Sequence, residues 1–283
     1  MKKIKLFFIN WILPPSIRIF FRKILTQCRV LMKYRSLRKN NDLKNIRNSD
    51  EVYIIGNGPS MASFDFNLLE FKDVLVCNQF YALEGSRKIR PIVYSIGDPV
   101  EQNKINEYKD FLPDLKKVAS IDAKAYLLHS SVYDLIMQSK IDFKCRDKIY
   151  HYCGGYDDKI ALDDMCSVVS PVRFTSMLNF ILAVFMGYKK IYLLGMDQNH
   201  YYNFFCFGKV FVEHGYDSNP FAGSINPEIV NYDWISASLG AFRTYSAWKM
   251  LFDLANKRNI EVYDLTTGGK LDIFPKKNIN EFL

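Results

Sequence analysis

An α/β fold, with a largely parallel sheet covered by helices on both faces, is what this 283-residue sequence predicts. Apolar, β-favouring runs recur at Val52–Ile55, Val74–Cys77, Ile92–Ile96, Ile191–Leu194 and Glu261–Tyr263, with weaker candidates at Lys117–Ser120 and Lys148–Tyr152. Helix-type stretches fall between them at Val100–Phe111, Ala125–Gln138, Thr175–Met186 and Ala241–Lys257. Such alternation builds parallel sheets with helices on both sides. In addition, the first run breaks into Gly56-Asn57-Gly58-Pro59-Ser60, and Asp65 to Phe71 then reads as a short helix. Glycines after a strand let backbone approach an anion, and helix N–H groups then point at it. A plain β-turn is the competing reading. The run is neither a Walker A loop nor Gly-x-Gly-x-x-Gly, so it names no standard nucleotide enzyme.

The chain begins with a basic arm. Residues 1–48 carry thirteen Lys or Arg and one acid, Asp42; the chain's +8 less this +12 leaves −4 for residues 49–283. A nucleic-acid-binding protein would more often carry its basic stripe on the fold itself, so no nucleic-acid partner is expected. Ile4–Leu13 is apolar but short of the roughly 20 residues that span a bilayer. Pro14-Pro15 stops it, and no small-residue cleavage site follows, which argues against a signal peptide. Ser16 is a plausible N-cap for a helix over Ile17–Leu37. Ile17, Phe20, Phe21, Ile24, Cys28 and Leu31 share one sector of it, and Arg18, Arg22, Arg29 and Lys33 another. That separation predicts a helix lying on an anionic membrane surface through residues 1–39. A helix docked on the protein's own core, a partner-binding helix and a membrane span compete with it. Asn40–Asp50 is polar and reads as a linker.

Six cysteines show no Cys-x-x-Cys pair and no zinc-finger spacing, which predicts buried thiols in a reducing, cytoplasmic compartment. There is no Asp-x-Asp. The acidic doublets Asp157-Asp158 and Asp163-Asp164 have no reason to sit on the strand-end rim, so neither a catalytic metal nor a cofactor is expected.

Ligands of open α/β sheets bind outside the carboxyl ends of the strands. The segments there are Gly56–Ser60, then Cys77-Asn78-Gln79-Phe80-Tyr81, Gly97-Asp98-Pro99 and Gly195-Met196-Asp197. Arg173-Phe174-Thr175-Ser176 precedes a helix; Arg173 suits a phosphate, and Thr175 or Ser176 suits a cap or a ligand hydroxyl contact. The long aromatic stretch over about 198–240 reads as a lid. It holds His200 and His214, whose imidazoles suit a general base near neutral pH.

These segments together resemble the bacterial CMP-sialic-acid-dependent sialyltransferases, glycosyltransferase family 42. The matching motifs are Ile54–Ser60, Cys77–Tyr81, Arg173–Ser176 and Met186–Asp197, covering about residues 50–200. The resemblance implies a single Rossmann-like domain with a lid, performing metal-independent, inverting transfer from a CMP-sugar to a surface glycan or glycolipid. It implies that Gly56, Asn57, Gly58 and Ser60 hold the donor phosphate. Asn78 and Gln79 would contact the donor, and Arg173, Thr175, Ser176, Gly195 and Asp197 would complete the nucleotide pocket. A lid histidine, His214 ahead of His200, would be the base, and lid tyrosines would steady the leaving phosphate. The enzyme would then work at the inner face of the membrane. Gly97-Asp98-Pro99 stands where those enzymes place an asparagine-containing turn. With the later His214-Gly215-Tyr216, it looks more like a broader group that includes 6-hydroxymethylpterin diphosphokinase-like proteins. Diphosphoryl transfer and non-catalytic nucleotide binding therefore remain alternatives.

Overall fold

In the computed structural model, the described residues are 35–99, 111–138, 146–154, 161–207 and 233–281, with positions 17, 24, 28 and 32. The strands are β1 (Glu51–Ile55), β2 (Val74–Cys77), β3 (Val93–Ile96), β4 (Ala125–His129), β5 (Ile149–Gly154), β6 (Leu162–Asp163), β7 (Val168–Ser170), β8 (Lys190–Leu194) and β9 (Glu261–Asp264). They form one sheet in the order β6-β7-β5-β4-β3-β2-β1-β8-β9. Every pairing is parallel except β6 with β7. The helices are α1 (Phe111–Ala119), α2 (Ser130–Gln138), α3 (Thr175–Met186), α4 (Asn199–Phe207) and α5 (Trp234–Lys257). This is the doubly wound α/β architecture expected from the sequence.

Both faces of the sheet are buried, which is why its strands read as unbroken apolar runs. Val52, Ile54, Leu75, Val93, Leu127, Ile191 and Leu193 face one core, against Met177, Phe180 and Ile181 of α3 and Trp248 and Leu251 of α5. Their neighbours Tyr53, Ile55, Val76, Tyr94, Leu128, Tyr192 and Leu194 face the other, with Leu115, Val118, Val132 and Ile136 of α1 and α2. The alternation along each strand is the two-residue period of an extended chain. α3 has no polar side; eleven of its twelve residues are buried, and it ends at Gly187 with φ +85.

Four of the expected elements differ from the structure, and β6, β7 and the helix α4 have no counterpart in the expectation. Ala125–Gln138 is not one helix: Ala125–His129 is the strand β4, and the helix starts only at Ser130. Lys117–Ser120 is not a strand but largely the end of α1. Asp65–Phe71 contributes a single 3-10 turn, Phe66–Leu69, capped by the Asp65 carboxylate. The start of α5 lies seven residues ahead of Ala241, at Trp234. The helix expected over Val100–Phe111 lies outside the described residues, apart from Phe111.

The polar stretch after residue 37 is folded onto the domain rather than extended. Arg38–Asn45 forms a 3-10 helix in which Asn40 and Leu43 are buried. Asn40 Nδ2 donates to the carbonyls of His151 (2.8 Å) and Met165 (2.6 Å), tying this segment to β5. The Nδ2 side of this buried amide meets two carbonyls, each bond contributing about 1 kcal/mol, while its Oδ1 has no partner among the described residues. Positions 17, 24, 28 and 32 of the arm are helical and exposed. Among the described residues no helix is long and apolar enough to cross a membrane. None of the described cysteines forms a disulfide; Cys77 is buried, whereas Cys28 and Cys206 are exposed.

Candidate functional site

From β1 the chain steps to β2 on one side, while β8 pairs with β1 on the other and leads on to β9. The sheet therefore reverses its winding direction between β1 and β8, the place where open α/β sheets leave a crevice. Two backbone bonds hold the strand ends there: Gly56 N–H donates to Leu194 O (2.8 Å) and Gly58 N–H to Gly195 O (3.1 Å).

A cavity of about 230 Å³ opens at this point. Its walls include Gly56, Asn57, Gly58, Asn78, Gln79, Asp98, Arg173, Thr175, Ser176, Gly195 and Asp197. The strand ends singled out in the sequence thus converge on one space, although they are up to 141 positions apart. Ser60 is the exception. Its N–H donates to Asp197 Oδ1 (3.1 Å) and its hydroxyl to Asp197 Oδ2 (2.8 Å), so it braces the loop from behind. His200 sits in the first turn of α4, directly after the cavity residue Asn199. His214 lies outside the described residues, as does most of the stretch read as a lid.

The loop geometry depends on glycine at position 58. A Cβ there would lie within 2 Å of Asp197 Oδ2 and 2.7 Å from Gly195 O, so no side chain fits. Gly195 itself turns with φ +68. Asn78 (φ +49) and Gln198 (φ +53) adopt left-handed backbone without being glycine, and both line the cavity. Strain of this kind collects at functional sites.

Three amide side chains of the wall carry a buried oxygen with no hydrogen-bond partner among the described residues: Asn57, Gln198 and Asn199. Asn57 spends its Nδ2 on Cys77 O (3.1 Å), which aims the rest of the amide at the cavity. Buried amides without partners are costly, so their grouping here marks groups set to meet a ligand's polar atoms. The start of α3 adds an electropositive end. Its N-cap residue, Phe174, makes no side-chain cap bond, and Thr175 Oγ1 donates instead to Asn78 Oδ1 (3.1 Å). The first N–H groups of the helix are left toward the cavity, beside Arg173, an arrangement suited to an anion.

Two carboxylates share the wall. Asp197 is held above the usual carboxylate range by burial, opposed by its Ser60 bonds and by Lys276. Asp98 lines the cavity but is largely exposed, with no hydrogen bond or ion pair among the described residues, and partial desolvation raises it above its ordinary value. Its charge is felt by Cys77, whose thiol burial pushes up to about 12, leaving a neutral thiol in the wall. A group whose folded pKa is raised favours the folded state when protonated. That contribution is complete below its ordinary value and is lost as pH rises through the raised one. Asp98→Asn is therefore expected to raise the melting temperature slightly near neutral pH, the effect being small because solvent screens this exposed carboxylate. The gain should close as pH falls toward 3.8, the ordinary value. Melting curves of the two proteins across pH check this; an equal difference at all pH values would contradict it.

Sequence reasoning did not single out Gln198 and Asn199 as binding residues, although they directly continue Gly195-Met196-Asp197. It also missed the support behind Asp197. Met196 N–H donates to Thr266 Oγ1 (3.1 Å) and Lys270 N–H to Asp197 O (2.7 Å), so the loop after β9 buttresses the turn. No local pattern announces contacts made across some seventy residues. Among the described residues no group of three or more His, Cys, Asp or Glu converges as a metal site.

Fold and cavity together define a doubly wound, Rossmann-like α/β protein with a crevice at its strand ends. Its structural neighbours include sialyltransferases of Campylobacter jejuni. One is the sialyltransferase CstII in complex with the substrate analogue cytidine-5′-monophosphate, at 18% identity and TM-score 0.42 over 80% of this chain and 84% of that one. Another is an alpha-2,3-sialyltransferase in apo form, at 17% identity and TM-score 0.41 over 81% of this chain and 80% of that one. No protein-family model matches the chain, and no curated protein sequence does.

Proposed function

We propose that this protein is a glycosyltransferase that binds a CMP-sugar in the cavity between β1, β8 and α3 and passes the sugar to a glycan or glycolipid. The observation that carries the reading is the convergence of the Gly56–Gly58 loop, the open start of α3 with Arg173, and three amide oxygens without partners among the described residues on one crevice. The N–H groups at the start of α3 and Arg173 suit the phosphate, because Gly56 and Gly58 spend theirs on Leu194 O and Gly195 O; the amides suit base and ribose. The sequence motifs supply the choice of CMP.

In the inverting reaction the acceptor hydroxyl oxygen bonds to the anomeric carbon as the bond from that carbon to the CMP phosphate breaks. The hydroxyl proton passes to a base, for which His214 and then His200 are the candidates. The electron pair leaves with the phosphate, whose charge Arg173 and the α3 N-terminus offset without a metal ion. The arm ahead of Leu37 would hold the enzyme against the inner face of the membrane, where a lipid-linked acceptor resides; the expected bound at residue 39 is too long, because Leu37 is buried in the domain and Lys39 donates to the carbonyls of Asp147 and Ile149.

Asp98 and Asp197 on one wall also suit a second reading, ATP-dependent diphosphoryl transfer through Mg²⁺. Against it, both oxygens of Asp197 already accept from Ser60. Thermal shifts with CMP, CMP-sialic acid, UDP, GDP and ATP, with and without Mg²⁺, separate the readings, because a ligand of the native state raises stability by mass action. CMP or its sugar is expected to stabilise the protein in the presence of a chelator. Asn57→Ala should weaken that binding by about 1–3 kcal/mol. Stabilisation by ATP with Mg²⁺ alone would overturn the proposal and favour the second reading.

A further inference from the structure

The first turns of α5 and the outer side of α4 hold large apolar side chains in solvent. Ile235, Leu239 and Phe242 recur at i, i+4 and i+7, so they line one side of the helix. They are 74%, 47% and 71% exposed. Trp234, 62% exposed, stands beside them against Phe204 and Phe205, with ring centroids 5.3 and 5.7 Å away. The support beneath is close-packed: Phe204 and Ala237 are buried against each other, and a Cβ on Gly240 would lie 2.5 Å from Tyr201 Oη. Farther along α5, Trp248, Leu251 and Ala255 turn to the core. The helix is thus apolar toward the core in its second half and apolar toward solvent in its first. A solvated helix would be polar there. Contiguous exposed patches of this kind mark interaction surfaces.

Among the described residues, cations outnumber acids beside the patch; the exposed Asp272, which faces Tyr245 of α5, is the acid nearest Lys270 in the chain. α4 has no charged residue, and α5 has no acid from Trp234 to Phe252. Asp233 at the N-cap is committed to Ser236. The exposed cations Arg243 and Lys270 border the patch; Arg243 follows Phe242 in the helix, and the Lys270 ammonium lies over the Tyr202 ring at 4.5 Å.

We propose that this face docks on an anionic lipid surface. Trp234, Ile235, Leu239 and Phe242 would enter the boundary between head groups and acyl chains, and Arg243 and Lys270 would meet the head groups. A tryptophan beside aliphatic side chains suits that boundary. Asn199 lines the cavity, and Phe205 lies six residues on along α4, about 9 Å at helical rise. Docking here would therefore hold the cavity near the lipid surface. The inference does not depend on the identity of the donor.

The test uses the full chain and phosphatidylcholine vesicles with and without phosphatidylglycerol. The three tryptophans are Trp11, Trp234 and Trp248, and Trp248 is fully buried. In a Trp11→Phe background, Trp234 is then the reporter. Its emission is expected to shift to the blue on vesicles containing phosphatidylglycerol and to be quenched by brominated acyl chains. Phe242→Ser should weaken vesicle binding at least about tenfold, through lost apolar burial. Arg243→Gln, which leaves the apolar face intact, should weaken it and flatten its salt dependence. Vesicle binding without a change at Trp234 would overturn the proposal. So would a lipid-independent shift that grows with protein concentration, which would assign the face to a second copy.

Discussion

Gly58→Ala is expected to abolish ligand binding and to destabilise the protein by about 3 kcal/mol or more. The added Cβ would land on the Asp197 carboxylate and press on Gly195 O. None of these atoms can give way cheaply. Gly195 O accepts from Gly58 N–H, and both Asp197 oxygens accept from Ser60. Relief would require parting the ends of β1 and β8, which removes the charge-assisted Ser60 bonds and widens the crevice. Urea denaturation and CMP-induced thermal shifts check the two halves of this expectation. Near-normal binding would show that the close approach of the two strand ends is not what shapes the site. Ser60→Ala offers a milder comparison, since it removes one bond and adds no clash.

Replacing the true base by alanine should cut turnover by roughly 10²–10⁴, the usual range for general-base catalysis, while CMP binding persists. His214 and His200 are the residues to test. His200 follows the cavity residue Asn199 in α4. His214 falls in the stretch between α4 and α5, from which the sequence expects a lid. Turnover and CMP affinity measured for both single variants separate a proton acceptor from a binding residue. If both retain near-normal turnover, the role passes to Asp98, the carboxylate at the mouth with no partner among the described residues. A pH–rate profile would then rise with the ionisation of a carboxyl held above its ordinary range, not with that of an imidazole.

The sheet was legible where strands are built of Val, Ile and Leu and end in glycine or a polar cluster, as β1, β2, β3 and β8 do. β4 was not, because Ala-Tyr-Leu-Leu-His lacks β-branched residues and runs into α2 with no glycine or proline between. A short apolar run of that kind suits either state, and only pairing with β3 and β5 decides it. β6 and β7, two and three residues long, leave no period to detect. Asn40 reads as a linker residue because nothing in its neighbourhood tells that its amide will meet the carbonyls of His151 and Met165. The cavity wall was legible because strand ends are where such folds place ligands. The separate duty of Ser60 was not, since its partner Asp197 lies 137 positions away. The buttress at Thr266 and Lys270 escaped for the same reason.

Calorimetric titration of CMP, in the presence of a chelator, into the wild-type protein and into Asn57→Ala tests the central claim most directly. One site per chain is predicted, with affinity falling about tenfold to a hundredfold in the variant as a buried hydrogen bond is lost. No heat with the wild-type protein, or equal affinity in both, would contradict the assignment of the β1–β8 crevice as the nucleotide site.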